Sequence, residues 1–139
     1  MAAADPAPQT TCGVRVLDAG ALIALDRGDR DAWALLAETH RAGQRPVVPA
    51  PVIAQAWRGG QRQARLARVL SGAELVLADG PVSRRAGELL GRSRTNDVLD
   101  ALVALAAQDR PGCEVLTSDP GDIHLLLQTL NIRRTIRVV

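Results

Sequence analysis

Short apolar runs alternate with segments of helical periodicity along most of the chain. Apolar residues that recur every three or four positions predict helices, whereas brief runs rich in Val, Leu and Ile are typical of buried strands. The predicted strands cover 14–17, 47–48, 74–77, 113–117 and 136–139. The predicted helices cover a turn that ends at Leu25 and the segments 31–42, 51–57, 61–70, 81–90, 97–108 and 120–130.

This order of elements predicts an α/β fold. Strands that are short, apolar on both faces and separated by helices form a mostly parallel sheet with helices packed on both faces. We expect a single domain over 14–139, because no linker or repeat interrupts the pattern. Residues 1–13 are rich in Ala, Pro and Thr, and we expect them to form a disordered tail.

Composition supports a globular protein. Of the 139 residues, 47% are apolar and 23% are charged, which are ordinary proportions for a folded domain. The longest apolar run, 101–107, is far shorter than a membrane span, so we expect no membrane association. The first residues lack a basic and apolar leader, so we expect a cytoplasmic protein. Cys12 and Cys113 form neither a disulfide framework nor a zinc motif, and we expect free thiols.

The basic and aromatic residues exclude several kinds of chemistry. All 17 basic residues are Arg, which excludes mechanisms that need a lysine amine. The chain has no Tyr or Phe, so bases have few aromatic surfaces on which to stack, and Trp33 and Trp57 are expected in the core. Any nucleic acid must therefore be held by its phosphates, although a net charge of +2 alone does not indicate such a partner.

Five aspartates are predicted to meet at one edge of the sheet. Asp18 follows the first strand and Asp119 follows the fourth, and ligands bind at such carboxyl ends in open parallel sheets. Asp100 lies in an otherwise apolar helix, and Asp97 lies three residues before it on the same face. Asp122 follows Asp119 at the same spacing.

Each position also has a purely structural interpretation. Asp119 before Pro120 suits the N-cap of the predicted helix 120–130. Asp97 suits the start of the predicted helix 97–108, with Asn96 as a candidate cap. Asp18 can be a turn residue after a strand. Against this, two carboxylates about 4 Å apart repel by roughly 4 kcal/mol at an effective dielectric constant of 20. Three or more in one pocket therefore either take up protons or hold a cation.

A cation in this pocket would be a hard one. Oxygen ligands without paired His or Cys favour Mg²⁺ or Mn²⁺ over zinc, and His40 and His124 are expected at the surface. Mg²⁺ held by carboxylates typically polarises a phosphate and activates a water molecule. The pattern therefore favours phosphodiester hydrolysis.

The residues also resemble a known family. The segments 16–25, 97–104 and 116–123 are similar, in this order, to the acidic segments of the PIN-domain ribonucleases, and within them to VapC-like toxins of toxin–antitoxin systems. The resemblance spans about 14–139. It implies a PIN-like fold, a Mg²⁺-dependent endoribonuclease that cleaves RNA, a homodimer, and inhibition by a cognate antitoxin protein.

The resemblance assigns roles to individual residues. Asp18, Asp100 and Asp119 carry over as metal ligands and catalytic residues, and Asp97 and Asp122 as outer members of the site. Where the family usually has Glu, this chain has Gln55, whose amide can coordinate or orient water but brings no charge. The alternative is therefore a weakly active or inactive PIN-like binding module. A phospho-acceptor domain is disfavoured by the absence of lysine.

Substrate contacts are predicted on one helix and one strand end. Arg62, Arg65 and Arg68 recur every three residues and either track RNA phosphates or form a solvated face. Thr117 and Ser118 either orient the phosphate or a water molecule, or make local backbone hydrogen bonds.

Overall fold

The computed structural model describes residues 13–139. The strands are β1 (Arg15–Leu17), β2 (Val47–Pro49), β3 (Glu74–Val76), β4 (Glu114–Thr117) and β5 (Thr135–Val138). The α-helices are α1 (Ala19–Asp26), α2 (Arg30–Arg41), α3 (Ile53–Ala56), α4 (Ala64–Ser71), α5 (Gly80–Ser93), α6 (Val98–Gln108) and α7 (Pro120–Thr129). Short 3-10 turns, Ala50–Val52 and Gln61–Gln63, precede α3 and α4. The predicted tail and Cys12 lie outside the described residues, apart from Gly13.

The strands form one parallel sheet in the order β3-β2-β1-β4-β5. Val16 is in register with Val47 on one side and with Val115 on the other, so β1 is central. The chain first moves outward from β1 to β3, then crosses back to β4 and continues to β5. The order therefore reverses between β1 and β4, and such a reversal opens a crevice beyond the strand ends.

Helices cover both faces of this sheet. α1 contacts α2, α3 and α4, whereas α5, α6 and α7 pack on one another. Both α1 and α6 contact β1, whose three residues are all buried. Since successive side chains of a strand point to opposite faces, a strand buried throughout requires cover on both. The prediction of a parallel α/β sheet with helices on both faces is confirmed.

The predicted elements differ from the observed ones mainly at their ends. The predicted helix 51–57 is a 3-10 turn followed by the single turn of α3, and 61–70 is a 3-10 turn followed by α4. Trp57 is 38% exposed, so its predicted core position is wrong, while Trp33 packs against the core and donates Nε1–H to Leu25 O (3.0 Å). Cys113 is a buried free thiol, as predicted.

A buried arginine holds the amino-terminal edge of the sheet. Arg15 is 5% exposed and donates to Glu114 Oε1 (3.0 Å), Glu38 Oε1 (3.1 Å) and Thr39 Oγ1 (3.1 Å). A buried charge is tolerated when it is paired in this way. This network ties β1 and β4 to α2, at the edge opposite the aspartates. Within 13–139, no helix combines the length and apolar character that crossing a membrane requires.

Candidate functional site

The crevice between β1 and β4 brings Asp18 and Asp119 to the same place. Asp18 comes directly after β1, and its backbone N–H donates to Leu116 O of β4 (3.2 Å). Asp119 comes two residues after β4. Both residues therefore lie at the point where the strand order reverses, which is where parallel sheets bind ligands.

Asp18 is held rigidly. It is 5% exposed, it is the N-cap of α1, and one carboxylate oxygen accepts the Ala21 N–H (2.8 Å). Burial raises the pKa of Asp18 above its ordinary value, and hydrogen bonds from Thr117 and from backbone N–H groups oppose that increase. The predicted turn role is thus a capping role, and it fixes the carboxylate at the crevice.

Among the described carboxyl groups, Asp100 has the pKa that differs most from its ordinary value. Its pKa rises from the ordinary 3.8 to about 7. Burial is the largest cause, and repulsion by the carboxylates of Asp97, Asp122, Asp18 and Asp119 adds to it. The other four aspartates that the sequence singled out therefore all repel the carboxylate of Asp100.

The other three aspartates are exposed at the starts of two helices. Asp97, and not Asn96, is the N-cap of α6, and its side chain accepts the Asp100 N–H (3.0 Å). Asp119 occupies the N-cap position of α7 but makes no capping hydrogen bond with its side chain, so the capping interpretation does not account for its carboxylate. A hydrogen bond with Asp119, and then its charge, raise the pKa of Asp122.

An acidic pocket of about 230 Å³ lies between α6 and α7. It is lined by Thr95, Asn96, Asp97, Asp100, Asp122 and Leu126, and this lining contains no basic side chain. Within 13–139, no three His, Cys, Asp or Glu side chains stand close enough to form a ready-made metal site. Of the five aspartates, Asp97, Asp100 and Asp122 line this pocket, whereas Asp18 and Asp119 are absent from its lining.

No protein-family model, curated protein or solved structure matches this chain. The chemistry of the acidic pocket is therefore inferred from its own residues. Carboxylate oxygens are hard donors and carry negative charge, and here they lie near the carboxyl ends of parallel strands. These properties suit the binding of a divalent cation or of a cation-bound phosphate.

Of the remaining predicted site residues, Thr117 is buried, whereas Ser118 and Gln55 are exposed. Thr117 is fully buried, and its Oγ1 accepts the Asp119 N–H (2.8 Å), which is the predicted local hydrogen bond. Ser118 is exposed and lies against the first turn of α1. Gln55 is exposed on the single turn of α3 and is absent from the lining of the acidic pocket.

The arginines of the predicted stripe are exposed beside the buried Leu66 and Val69. Arg65 is the one whose surroundings are informative, because its guanidinium lies against Gly28, where a Cβ would collide with Nη1. Gly28 follows the carboxyl end of α1, whereas Asp18 precedes its amino end. At 1.5 Å per residue the two are about 15 Å apart. None of the three arginines of the stripe lines the acidic pocket.

Gly20 allows close packing at the crevice, and the sequence pattern did not indicate this role. A Cβ at Gly20 would overlap the Ser118 side chain, with 2.6 Å to its Cβ and 3.1 Å to its backbone nitrogen. Only glycine lets the loop after β4 lie directly on the first turn of α1. The Asp-Ala-Gly sequence after a strand was the available signal, although it is common in other turns.

The raised pKa values predict how stability depends on pH. A carboxyl group whose pKa is higher in the folded state binds more protons there, so its stabilising contribution is lost as pH rises. For Asp100 we expect the free energy of unfolding to fall between about pH 4 and pH 7 in metal-free buffer. Urea denaturation of wild type and Asp100→Asn at pH 5 and pH 8 measures this. We expect wild type to be less stable than Asp100→Asn by a larger margin at pH 8 than at pH 5. An equal margin at the two pH values would contradict a raised pKa for Asp100.

Proposed function

We propose that this protein is a Mg²⁺-dependent endoribonuclease that hydrolyses RNA phosphodiester bonds. The observation that carries this proposal is the acidic pocket lined by Asp97, Asp100 and Asp122, where burial and neighbouring carboxylates raise the pKa of Asp100 to about 7. No basic side chain lines the pocket to offset that charge. A carboxylate cluster of this kind favours binding of a cation, because a cation relieves the repulsion that protonation would otherwise relieve.

Carboxylate oxygens suit a hard divalent ion by their chemistry, but a bound ion would have to draw these side chains together, because no three of them within 13–139 form a ready-made site. Asp18, Asp100 and Asp119 would hold the ion, and Asp97 and Asp122 would lie at its periphery. Mn²⁺ accepts the same oxygen ligands as Mg²⁺. Such an ion, when bound, polarises a scissile phosphate and lowers the pKa of a water molecule.

The chain itself supplies the positions of these ligands. The Ala21 N–H (2.8 Å) holds Asp18 at the end of β1. Thr117 joins the two halves of the crevice, because it accepts the Asp119 N–H and helps stabilise the ionised form of Asp18. The exposed carboxylates of Asp119 and Asp122 leave one side of the site open, as a long substrate needs.

The biological setting is part of the proposal. The order of the acidic segments supports a VapC-like toxin that acts on RNA in the cytoplasm, as a homodimer, under control of a cognate antitoxin. Co-expression with the product of a neighbouring short reading frame would test this. We expect the two proteins to co-purify and growth arrest to be relieved; arrest that persists beside the co-purified partner would contradict inhibition.

The main experiment measures metal binding and cleavage together. We expect calorimetric titration with Mn²⁺ to show binding to wild type, and we expect Mg²⁺ or Mn²⁺ to stimulate cleavage of an internally labelled RNA. EDTA should abolish that cleavage. A protein that binds no Mn²⁺ and leaves RNA intact would overturn the proposal.

A second function has specific support. Asp18 and Asp97 both make helix-capping hydrogen bonds, and the neutral Gln55 is exposed on α3. These features suit a non-catalytic PIN-like binding module. RNA binding without Mn²⁺ binding and without cleavage would favour this module over the nuclease.

A further inference from the structure

A surface groove of about 560 Å³ runs along α1, away from the acidic pocket. Gly20 and Ser118 form its upper end, Ile23 and Ala24 form part of its wall, and Arg27 and Gly28 form its lower end. Gly20 lies two residues after Asp18, and Ser118 directly precedes Asp119. The groove therefore begins at the candidate catalytic site.

The lower end of the groove is basic. Arg27 is exposed at the carboxyl end of α1 and lines the groove directly. The guanidinium of Arg65 reaches the same end from α4, since it lies against Gly28. Gly28 has φ +80°, and a side chain there would be strained and would displace Arg65. Arg27 therefore lines the lower end of the groove, and the Arg65 guanidinium lies beside it against Gly28.

Asp29 and Val139 also line the groove, and Asp29 brings one negative charge into the lining. Asp29 is the N-cap of α2, and its Oδ1 accepts the Ala32 N–H (2.9 Å). Its carboxylate is thus directed to the first turn of α2, where the helix dipole stabilises it. Arg27 and Arg65 remain available to an anion.

We propose that this groove binds the phosphate backbone of a single RNA strand on one side of the scissile bond. The inference rests on the proposed ribonuclease function and adds the path of the substrate. The distance from Gly20 to Gly28 is about 12 Å along α1. A strand whose scissile phosphate lies at Asp18 and Asp119 therefore brings a neighbouring phosphate to the two arginines.

The groove recognises phosphates and not bases. Its walls carry no aromatic side chain, and the chain has no Tyr or Phe, so base stacking contributes little. Guanidinium groups bind phosphate oxygens through paired hydrogen bonds and release counterions from the strand. Binding in this groove should thus depend strongly on salt and weakly on sequence.

The decisive experiment compares two double variants that carry the same net charge. Arg27→Gln with Arg65→Gln removes the proposed contacts, and Arg84→Gln with Arg92→Gln removes two arginines from α5. Each changes the formal net charge from +2 to 0. Fluorescence anisotropy with a labelled single-stranded RNA, in Ca²⁺ buffer, gives the dissociation constant at several salt concentrations.

We expect the groove variant to reduce the slope of log affinity against log salt by about 1.4, which corresponds to two lost phosphate contacts. The α5 variant should retain the wild-type slope. Equal slopes for the two variants would overturn the proposal. An unchanged RNA slope combined with lost binding of a co-expressed protein would also overturn it, because it would assign the groove to a protein partner.

Two variants that place opposite charges at the same groove position provide a second test. Ala24→Glu and Ala24→Lys introduce side chains of similar length at one half-buried helical position, and circular dichroism checks that both variants fold. We expect the Lys variant to bind RNA about tenfold more tightly than the Glu variant at low salt. Equal affinities would contradict a phosphate path along α1.

These binding measurements are independent of catalysis. If wild type binds RNA with the expected slope but never cleaves it, the groove is supported and the nuclease proposal fails. If wild type cleaves RNA and the groove variants bind as wild type does, the nuclease is supported and the groove proposal fails.

Discussion

Replacing Asp100 with Asn is expected to lower metal-stimulated RNA cleavage by about a hundredfold while it makes the metal-free protein more stable. Cleavage falls because the substitution removes a charged ligand from the centre of the cluster, where loss of one preorganised group has effects of this size. Initial rates at saturating Mg²⁺ measure the loss.

Stability should change in the opposite direction. The neutral amide removes the repulsion that Asp97, Asp122, Asp18 and Asp119 exert on Asp100 at pH 7. The side chain is half-buried, so solvent screens much of this repulsion, and we expect a gain of about 1–2 kcal/mol in the free energy of unfolding. A structural aspartate behaves differently, since its loss lowers stability.

Asp31→Asn is the matched control. Asp31 is exposed in the first turn of α2, outside the acidic pocket. Its loss should lower stability by less than about 1 kcal/mol through the helix dipole and leave cleavage unchanged. If Asp100→Asn cleaves RNA as fast as wild type does, or if it is less stable than wild type, the five carboxylates do not form a functional cluster.

The second large effect is expected at Gly20. Gly20→Ala should destabilise the protein by about 1–3 kcal/mol, although alanine is the better helix former by about 1 kcal/mol. The new Cβ overlaps Ser118 and forces the loop after β4 away from α1. Because that loop carries Asp119, we also expect cleavage to fall.

Gly87→Ala separates the steric effect from helix propensity. Gly87 lies within α5, and a Cβ there meets nothing within 4 Å. We expect this variant to be more stable by about 1 kcal/mol and as active as wild type. Urea denaturation of both variants tests the pair. Equal stability changes at the two positions would contradict the close approach of the loop to α1.

Much of the fold could be predicted because periodicity reports local structure directly. The runs around Val16, Val48 and Val115 are too short and too apolar for anything but buried strands, and the helices between them leave a parallel sheet as the natural arrangement. The predictions were wrong where the local sequence pattern carries little information about burial. Trp57 was expected in the core because it is large and apolar, but it follows the single turn of α3 and remains partly exposed.

The candidate site could be predicted only in part. That Asp18 and Asp119 follow strands is visible in the sequence, and the parallel sheet places them at one edge. The sequence left open whether the aspartates cap helices or form a cluster. In the structure Asp18 and Asp97 cap helices, Asp119 makes no capping hydrogen bond with its side chain, and the other four aspartates all help raise the pKa of Asp100.

The sequence by itself determined the order of strands and helices, the restriction to arginine as the basic residue, and the positions of the aspartates relative to strand ends. Only the tertiary structure decided which groups touch. Gly20 meets Ser118, Arg65 meets Gly28, and Arg15 bridges β1, β4 and α2 across long stretches of chain. Such contacts depend on the spatial order of the strands and on the packing of side chains between layers, and residue spacing along one segment carries no information about either.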